Sequence, residues 1–80
     1  MIKKELTLVM RHGCSFCELA KSLLDDNDLT YTLLMLDEHF SRDEFYTMIP
    51  GAKTFPQILV NGKSIGGYDE LSVEINNLKK

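Results

Sequence analysis

Residues 6–17 read LTLVMRHGCSFC, and the fold turns on how this stretch divides. Leu6 to Met10 is short and nearly continuously apolar, as a strand covered on both faces should be. Arg11-His12-Gly13 breaks that pattern as a turn. From Cys14 onward the apolar residues Phe16, Leu19, Ala20, Leu23 and Leu24 recur at helical spacing, which predicts one face of a helix ending near Asp26-Asn27. Both cysteines are then expected in the first turn of that helix.

Working outward, Thr30 to Leu36 is rich in Tyr, Thr and Leu and predicts a second strand, completing a β-α-β unit. If its strands lie parallel, a right-handed crossover is the expectation. Ser41-Arg42-Asp43-Glu44 has the spacing of a capping box, and Phe45, Met48 and Ile49 supply the apolar face of a short helix stopped by Pro50-Gly51. Gln57 to Val60 reads as a third strand, Asn61-Gly62 as a hairpin turn, and Lys63 to Ile65 as an antiparallel fourth. After Gly66-Gly67, Leu71, Ile75 and Leu78 form the stripe of a closing helix. The order is β-α-β-α-β-β-α, an α/β class.

Eighty residues are expected to form a single domain, 1–80, because two smaller cores would bury too little to offset chain entropy. The formal charge of -3 provides no basic face for nucleic acid. Seven acids fall between Asp25 and Glu44 against Arg42 alone, while Arg11, Lys21, Lys53 and Lys63 lie elsewhere. That asymmetry reads as a solvated acidic side, or as a basic rim around the thiols. Met1 to Met10 is too brief and mixed for a signal peptide, and no apolar run reaches membrane length. A cytoplasmic, membrane-free setting is therefore expected, in which two cysteines at this spacing point to catalysis or metal binding rather than a permanent staple.

Residues three apart on a helix have Cβ atoms roughly 5–6 Å apart, so small adjustments let Cys14 and Cys17 form and break a disulfide. At a helix N-terminus, free backbone N–H groups and the positive end of the dipole favour a thiolate, which makes Cys14 the expected nucleophile. Cys17, one turn deeper, suits a resolving thiol. Arg11 and His12 could add positive charge nearby or could simply be solvated. The competing reading, half of a zinc site, needs two further ligands. Only His12 and His39 are at hand, without a second cysteine pair.

Two later segments give the C-x-x-C its context: Lys53-Thr54-Phe55-Pro56-Gln57 and Ile65-Gly66-Gly67-Tyr68-Asp69-Glu70. Together with Cys14-Ser15-Phe16-Cys17 after a first strand, they resemble the glutaredoxin family. There the first segment ends Thr-Val-Pro with a cis proline, and the second reads Gly-Gly-x-Asp before the last helix. Thr54-Phe55-Pro56 matches with Phe for Val, and the resemblance runs from Leu6 to Leu78. It implies a thioredoxin-like (glutaredoxin) fold with a four-stranded mixed sheet and three helices. It also implies a glutathione-dependent thiol–disulfide oxidoreductase acting through Cys14 and Cys17 on protein disulfides and glutathionylated proteins, with glutathione as reductant and no metal required.

The groove for the tripeptide would comprise Phe16, Lys53, Thr54, Phe55, Pro56, Gly66, Gly67, Tyr68 and Asp69. Pro56 lacks an N–H and leaves the backbone of Phe55 free for an extended peptide. Base frequencies alone favour a trans Phe55-Pro56 bond, so the cis expectation comes from the resemblance. Gly66-Gly67 lets backbone amides approach a carboxylate at a helix N-terminus, and Asp69 either pairs with an ammonium or caps the helix. Lys53, with Arg11 or Gln57, is the candidate for a carboxylate at the far end. Phe16 reads equally as groove lining or as core.

The departure is Ser15, where the family commonly has Pro, which leaves the reactivity of Cys14 open. Some family members with Ser there hold a [2Fe-2S] cluster between two subunits, so a dimeric cluster carrier is one alternative. A redoxin reduced by thioredoxin reductase is another. Otherwise a monomer is expected. The likeness to compact bacterial and phage forms puts ribonucleotide reductase among the candidate protein partners.

Overall fold

The computed structural model describes residues 4–79. Residues 1–3 and 80, the outer ends of the N-terminal segment and of the expected domain, lie outside the described residues. The elements are β1 (Leu6–Met10), α1 (Ser15–Asp26), β2 (Thr32–Met35), α2 (Arg42–Met48), β3 (Gln57–Val60), β4 (Lys63–Gly66) and α3 (Tyr68–Leu78). They follow the order expected from the sequence.

The sheet runs β2-β1-β3-β4. β1 pairs with β2 in parallel, Leu8 opposite Leu33, and with β3 antiparallel, Leu8 opposite Ile58. This central place explains the nearly continuous apolar run of β1, since side chains alternate between two covered faces. Leu6, Leu8 and Met10 join Ile58 beneath Ala20 and Leu24 of α1 and Leu71, Ile75 and Leu78 of α3. Val9 and Leu59 point the other way, against Phe45 of α2 together with Leu36, Phe40 and Ile49. Two helices thus cover one face of the sheet and one helix the other.

Local signals explain the boundaries. Ser41 Oγ accepts the Glu44 N–H at 3.2 Å while a Glu44 carboxylate oxygen accepts the Ser41 N–H at 3.0 Å, closing the capping box that starts α2. Asn61 and Gly62 take φ of 53° and 87°, the left-handed pair of a tight hairpin. The turn is tied to the start of β1 by Asn61 N–H to Glu5 C=O and Glu5 N–H to Asn61 Oδ1, both at 2.8 Å.

Several details differ from expectation, among them β4, which runs one residue further, to Gly66. β2 is shorter than Thr30–Leu36: its register with β1 runs from Thr32 to Met35, and Leu36 forms an isolated bridge with Phe40. Ile49 lies at the C-cap of α2, buried but outside the helix. The buried stripe of α1 is Cys17, Ala20 and Leu24, whereas Phe16 and Leu19 face outward, 58% and 48% exposed.

Candidate active site

β1 delivers the chain from the sheet centre into the turn at Arg11–Gly13, where Gly13 has φ of 70°, a region that costs glycine nothing. Cys14 follows with extended backbone (φ −116°, ψ 108°) as the N-cap of α1. This corrects the expectation that both cysteines sit inside the first turn. A capping side chain folds back over the helix end, and Cys14 Sγ accepts the Cys17 N–H at 3.2 Å. The sulfur therefore meets both a donor and the positive end of the helix dipole.

Cys14 and Cys17 are joined as a disulfide, their Cα atoms 5.2 Å apart. Cys14 retains 8% exposure, while Cys17 has none and packs within the core beneath α1 and α3. Cys14 thus keeps a small exposure while Cys17 is enclosed by apolar neighbours. That asymmetry is the one an attacking and a resolving thiol require.

A second segment, the loop before β3, reaches the sulfur. The Phe55–Pro56 bond is cis, as the family resemblance implied, and the Phe55 carbonyl oxygen lies 3.8 Å from Cys14 Sγ. Phe55 also stacks on Phe45, ring centroids 4.4 Å apart at 22°. The one departure from Thr-Val-Pro thus spans the two cores, for Phe55 packs against both. Among the described residues the Phe55 N–H has no backbone partner, which leaves it available to an extended ligand.

The third wall is the start of α3. Phe16, Thr54, Phe55, Pro56, Gly67, Tyr68, Asp69 and Glu70 line a cleft of about 200 Å³. Phe16 sits 6.2 Å from Tyr68, ring to ring. The structure thus brings together seven of the nine expected groove residues. Lys53 is exposed outside this lining, and Gly66, with φ of 117°, ends β4 just behind it. The N-cap of α3 is Gly67, with Asp69 in the first turn, so Asp69 is not the capping residue. Because the first-turn N–H groups of a helix lack partners within it, those of Tyr68 and Asp69 remain suited to a carboxylate.

Two residues behave differently from the sequence reading. Glu70, not singled out beforehand, turns back so that a carboxylate oxygen accepts the Gly67 N–H at 2.7 Å. Its signal was the Gly67-x-x-Glu70 spacing, which is that of a capping box with glycine in the first place. Gln57 is not free to meet a ligand: it is only 7% exposed and its amide is bonded on both sides within the protein. Arg11 donates to the His12 carbonyl at 3.2 Å, His12 pairs with Glu38, and the ring Nδ1 of His39 accepts the Met35 N–H at 2.8 Å. Among the described residues no three His, Cys, Asp or Glu side chains gather as a metal site, and no helix is long and apolar enough to cross a membrane.

Comparison with known proteins adds the remaining finding. The glutaredoxin family model matches residues 6–65. The chain is 33% identical over 70 residues to the hybrid peroxiredoxin hyPrx5 of Haemophilus influenzae, a match covering 88% of this chain but 29% of that protein. It is 33% identical over 61 residues to glutaredoxin 3 of Escherichia coli, covering 76% of this chain and 74% of that one. Among solved structures, the crystal structure of a buckwheat glutaredoxin–glutathione complex superposes with a TM-score of 0.76 at 25% identity, over 95% of this chain and 72% of the other.

Proposed function

The chain belongs to the glutaredoxin family, and from that premise we propose that it is a thiol–disulfide oxidoreductase that uses glutathione as reductant. The observation that carries the reading is the Cys14 sulfur. It caps α1, receives the Cys17 N–H and borders the Phe55 carbonyl beside a cleft of about 200 Å³. A glutathione complex among the solved relatives supports the ligand.

In the reduced protein the Cys14 thiolate attacks the glutathionyl sulfur of a mixed disulfide. The S–S bond to the substrate breaks, the substrate leaves as thiolate, and Cys14 holds glutathione. Either a second glutathione thiolate then attacks that glutathionyl sulfur, giving oxidised glutathione and free Cys14, or Cys17 attacks Cys14 and expels glutathione, leaving the intramolecular disulfide. With protein disulfides the same two thiols act in sequence.

The bound tripeptide runs along Phe55 in extended form, its γ-glutamyl carboxylate on the first N–H groups of α3 and its ammonium at Asp69, while exposed Lys53 is the candidate for the glycyl carboxylate. The proposal sets the reaction in the cytoplasm, where the glutathione pool supplies electrons. Glutathione titration of the reduced protein followed by NMR tests it: shifts grouped at Cys14, Phe55 and Gly67 support the groove, and scattered or absent shifts reject it.

A further inference from the structure

Gln57 is a polar residue buried in the otherwise apolar interior. Burying an amide is costly unless its hydrogen bonds are made. Gln57 Nε2 donates to the Thr54 carbonyl at 3.0 Å, with Thr54 Oγ1 at 3.4 Å, and its Oε1 accepts the Ser64 hydroxyl at 2.7 Å. Ser64 Oγ in turn accepts the Gly66 N–H at 3.2 Å. A continuous chain of bonds therefore runs from the Thr54–Pro56 wall of the cleft, through a buried amide, to the glycine that leads into the Gly67–Glu70 wall.

The two walls are separate segments, the loop before β3 and the start of α3, and they come close at Pro56 and Gly67. A Cβ added to Gly67 would lie 3.2 Å from the Pro56 carbonyl oxygen. The strand register breaks between Ile58 and Leu59 on β3, opposite Gly66 and Ser64, so the sheet ladder alone does not carry β4 regularly to its end. Gln57 itself is held in the central ladder opposite Val9. It is thus a fixed post with a bond to each side.

We propose that Gln57 is a positioning residue that sets the width of the cleft by tying Thr54 to Ser64 and Gly66, and so governs affinity for the tripeptide without touching it. The inference rests on the proposed glutathione site. Its energetic logic is a population effect: if the untied walls spend a fifth to a tenth of the time at binding distance, the apparent Kd rises about fivefold to tenfold.

The test uses S-methylglutathione, a tripeptide that cannot exchange disulfides, titrated by NMR into the reduced full chain. Gln57→Met keeps the side-chain volume close and removes both bonds. Thr54 and Ser64 are exposed and can bond water, so the variant should fold. Ser64→Ala breaks the same chain at an exposed position and serves as the second variant. The expected result is a Kd raised about fivefold to tenfold in Gln57→Met and by at least about twofold in Ser64→Ala. Alkylation of Cys14 should proceed at the wild-type rate and Cys17 should stay protected, which general loosening would not permit. Gly66 N–H exchange should also quicken in Gln57→Met, two hydrogen bonds away. Unchanged Kd in both folded variants overturns the proposal. If the wild type binds no S-methylglutathione, the glutathione reading fails on its own, and Gly66 exchange then decides: faster in Gln57→Met upholds the tie, unchanged overturns it.

Discussion

Replacing Gly66 with alanine should destabilise the protein through two separable causes. Gly66 has φ of 117°, where an L side chain is strained, and the new Cβ would fall 2.6 Å from both Cγ and Oε1 of Glu70. The Glu70 side chain is exposed and can swing away, but doing so gives up its bond to the Gly67 N–H. Backbone strain of this kind costs about 1–3 kcal/mol, and loss of a helix cap about 1 kcal/mol, so the variant should lose about 2–4 kcal/mol. With a urea slope of about 1 kcal/mol per M for a small domain, the midpoint should fall by about 2–4 M.

The cap loss can be isolated. Glu70→Ala alone should cost about 1 kcal/mol. In the double variant that loss is counted once, so the combined effect should fall short of the sum by about 1 kcal/mol. Equilibrium urea unfolding monitored by circular dichroism measures all three. Strict additivity would refute the claim that the added methyl evicts the Glu70 carboxylate, and a midpoint shift below about 0.5 M for Gly66→Ala would refute the strain as well.

Cys17→Ser should retain deglutathionylation by the one-thiol route and lose most reduction of protein disulfides, measured with a glutathionylated peptide and a protein disulfide in parallel; equal loss of both in a folded variant contradicts the division of labour. At the far end of α1, the Tyr31 hydroxyl donates to Asp25 Oδ1 at 2.8 Å and the Lys21 ammonium donates to Asp25 Oδ2 at 3.1 Å, and chiefly the Tyr31 bond holds the Asp25 carboxyl below its usual value. A carboxyl depressed in the folded state adds stability above its unfolded pKa that is lost as pH falls through the folded one. Tyr31→Phe should therefore raise the Asp25 pKa and flatten the acid limb of stability below about pH 4, followed by carboxyl NMR titration and unfolding; an unmoved Asp25 pKa would contradict the assignment.

The parts of the fold legible in the sequence were those governed by short-range chemistry. Ser41 and Glu44 close a box three residues wide, Asn61-Gly62 supplies two left-handed residues in succession, and β1 announces its central place by lacking polar alternation. Features set by distant partners were less visible. Phe16 and Leu19 follow the helical period of α1, yet the helix presents them outward because Cys17, Ala20 and Leu24 take the core. β2 loses its ends because pairing with β1 runs only from Thr32 to Met35.

At the site, the two cysteines and the Gly-Gly turn could be read from residue type and spacing. That Cys14 caps the helix rather than opening it depends on one backbone conformation, extended instead of helical, which no pattern of neighbours specifies. The stacking of Phe55 on Phe45 joins residues from a loop and a helix on one face of the sheet, and the burial of Gln57 depends on Ser64 across a hairpin. Neither leaves a periodic trace. The cis bond before Pro56 was legible only through family resemblance, since local chemistry favours trans.

The account depends on a Cys14 sulfur that is activated and accessible while Cys17 is neither. The direct measurement is timed alkylation of the fully reduced protein with iodoacetamide at pH 7, with each cysteine quantified by mass spectrometry. Cys14 should react at least about tenfold faster than Cys17 and faster than an unperturbed thiol. Equal labelling of the two, or an inert Cys14 in the folded protein, would contradict the account.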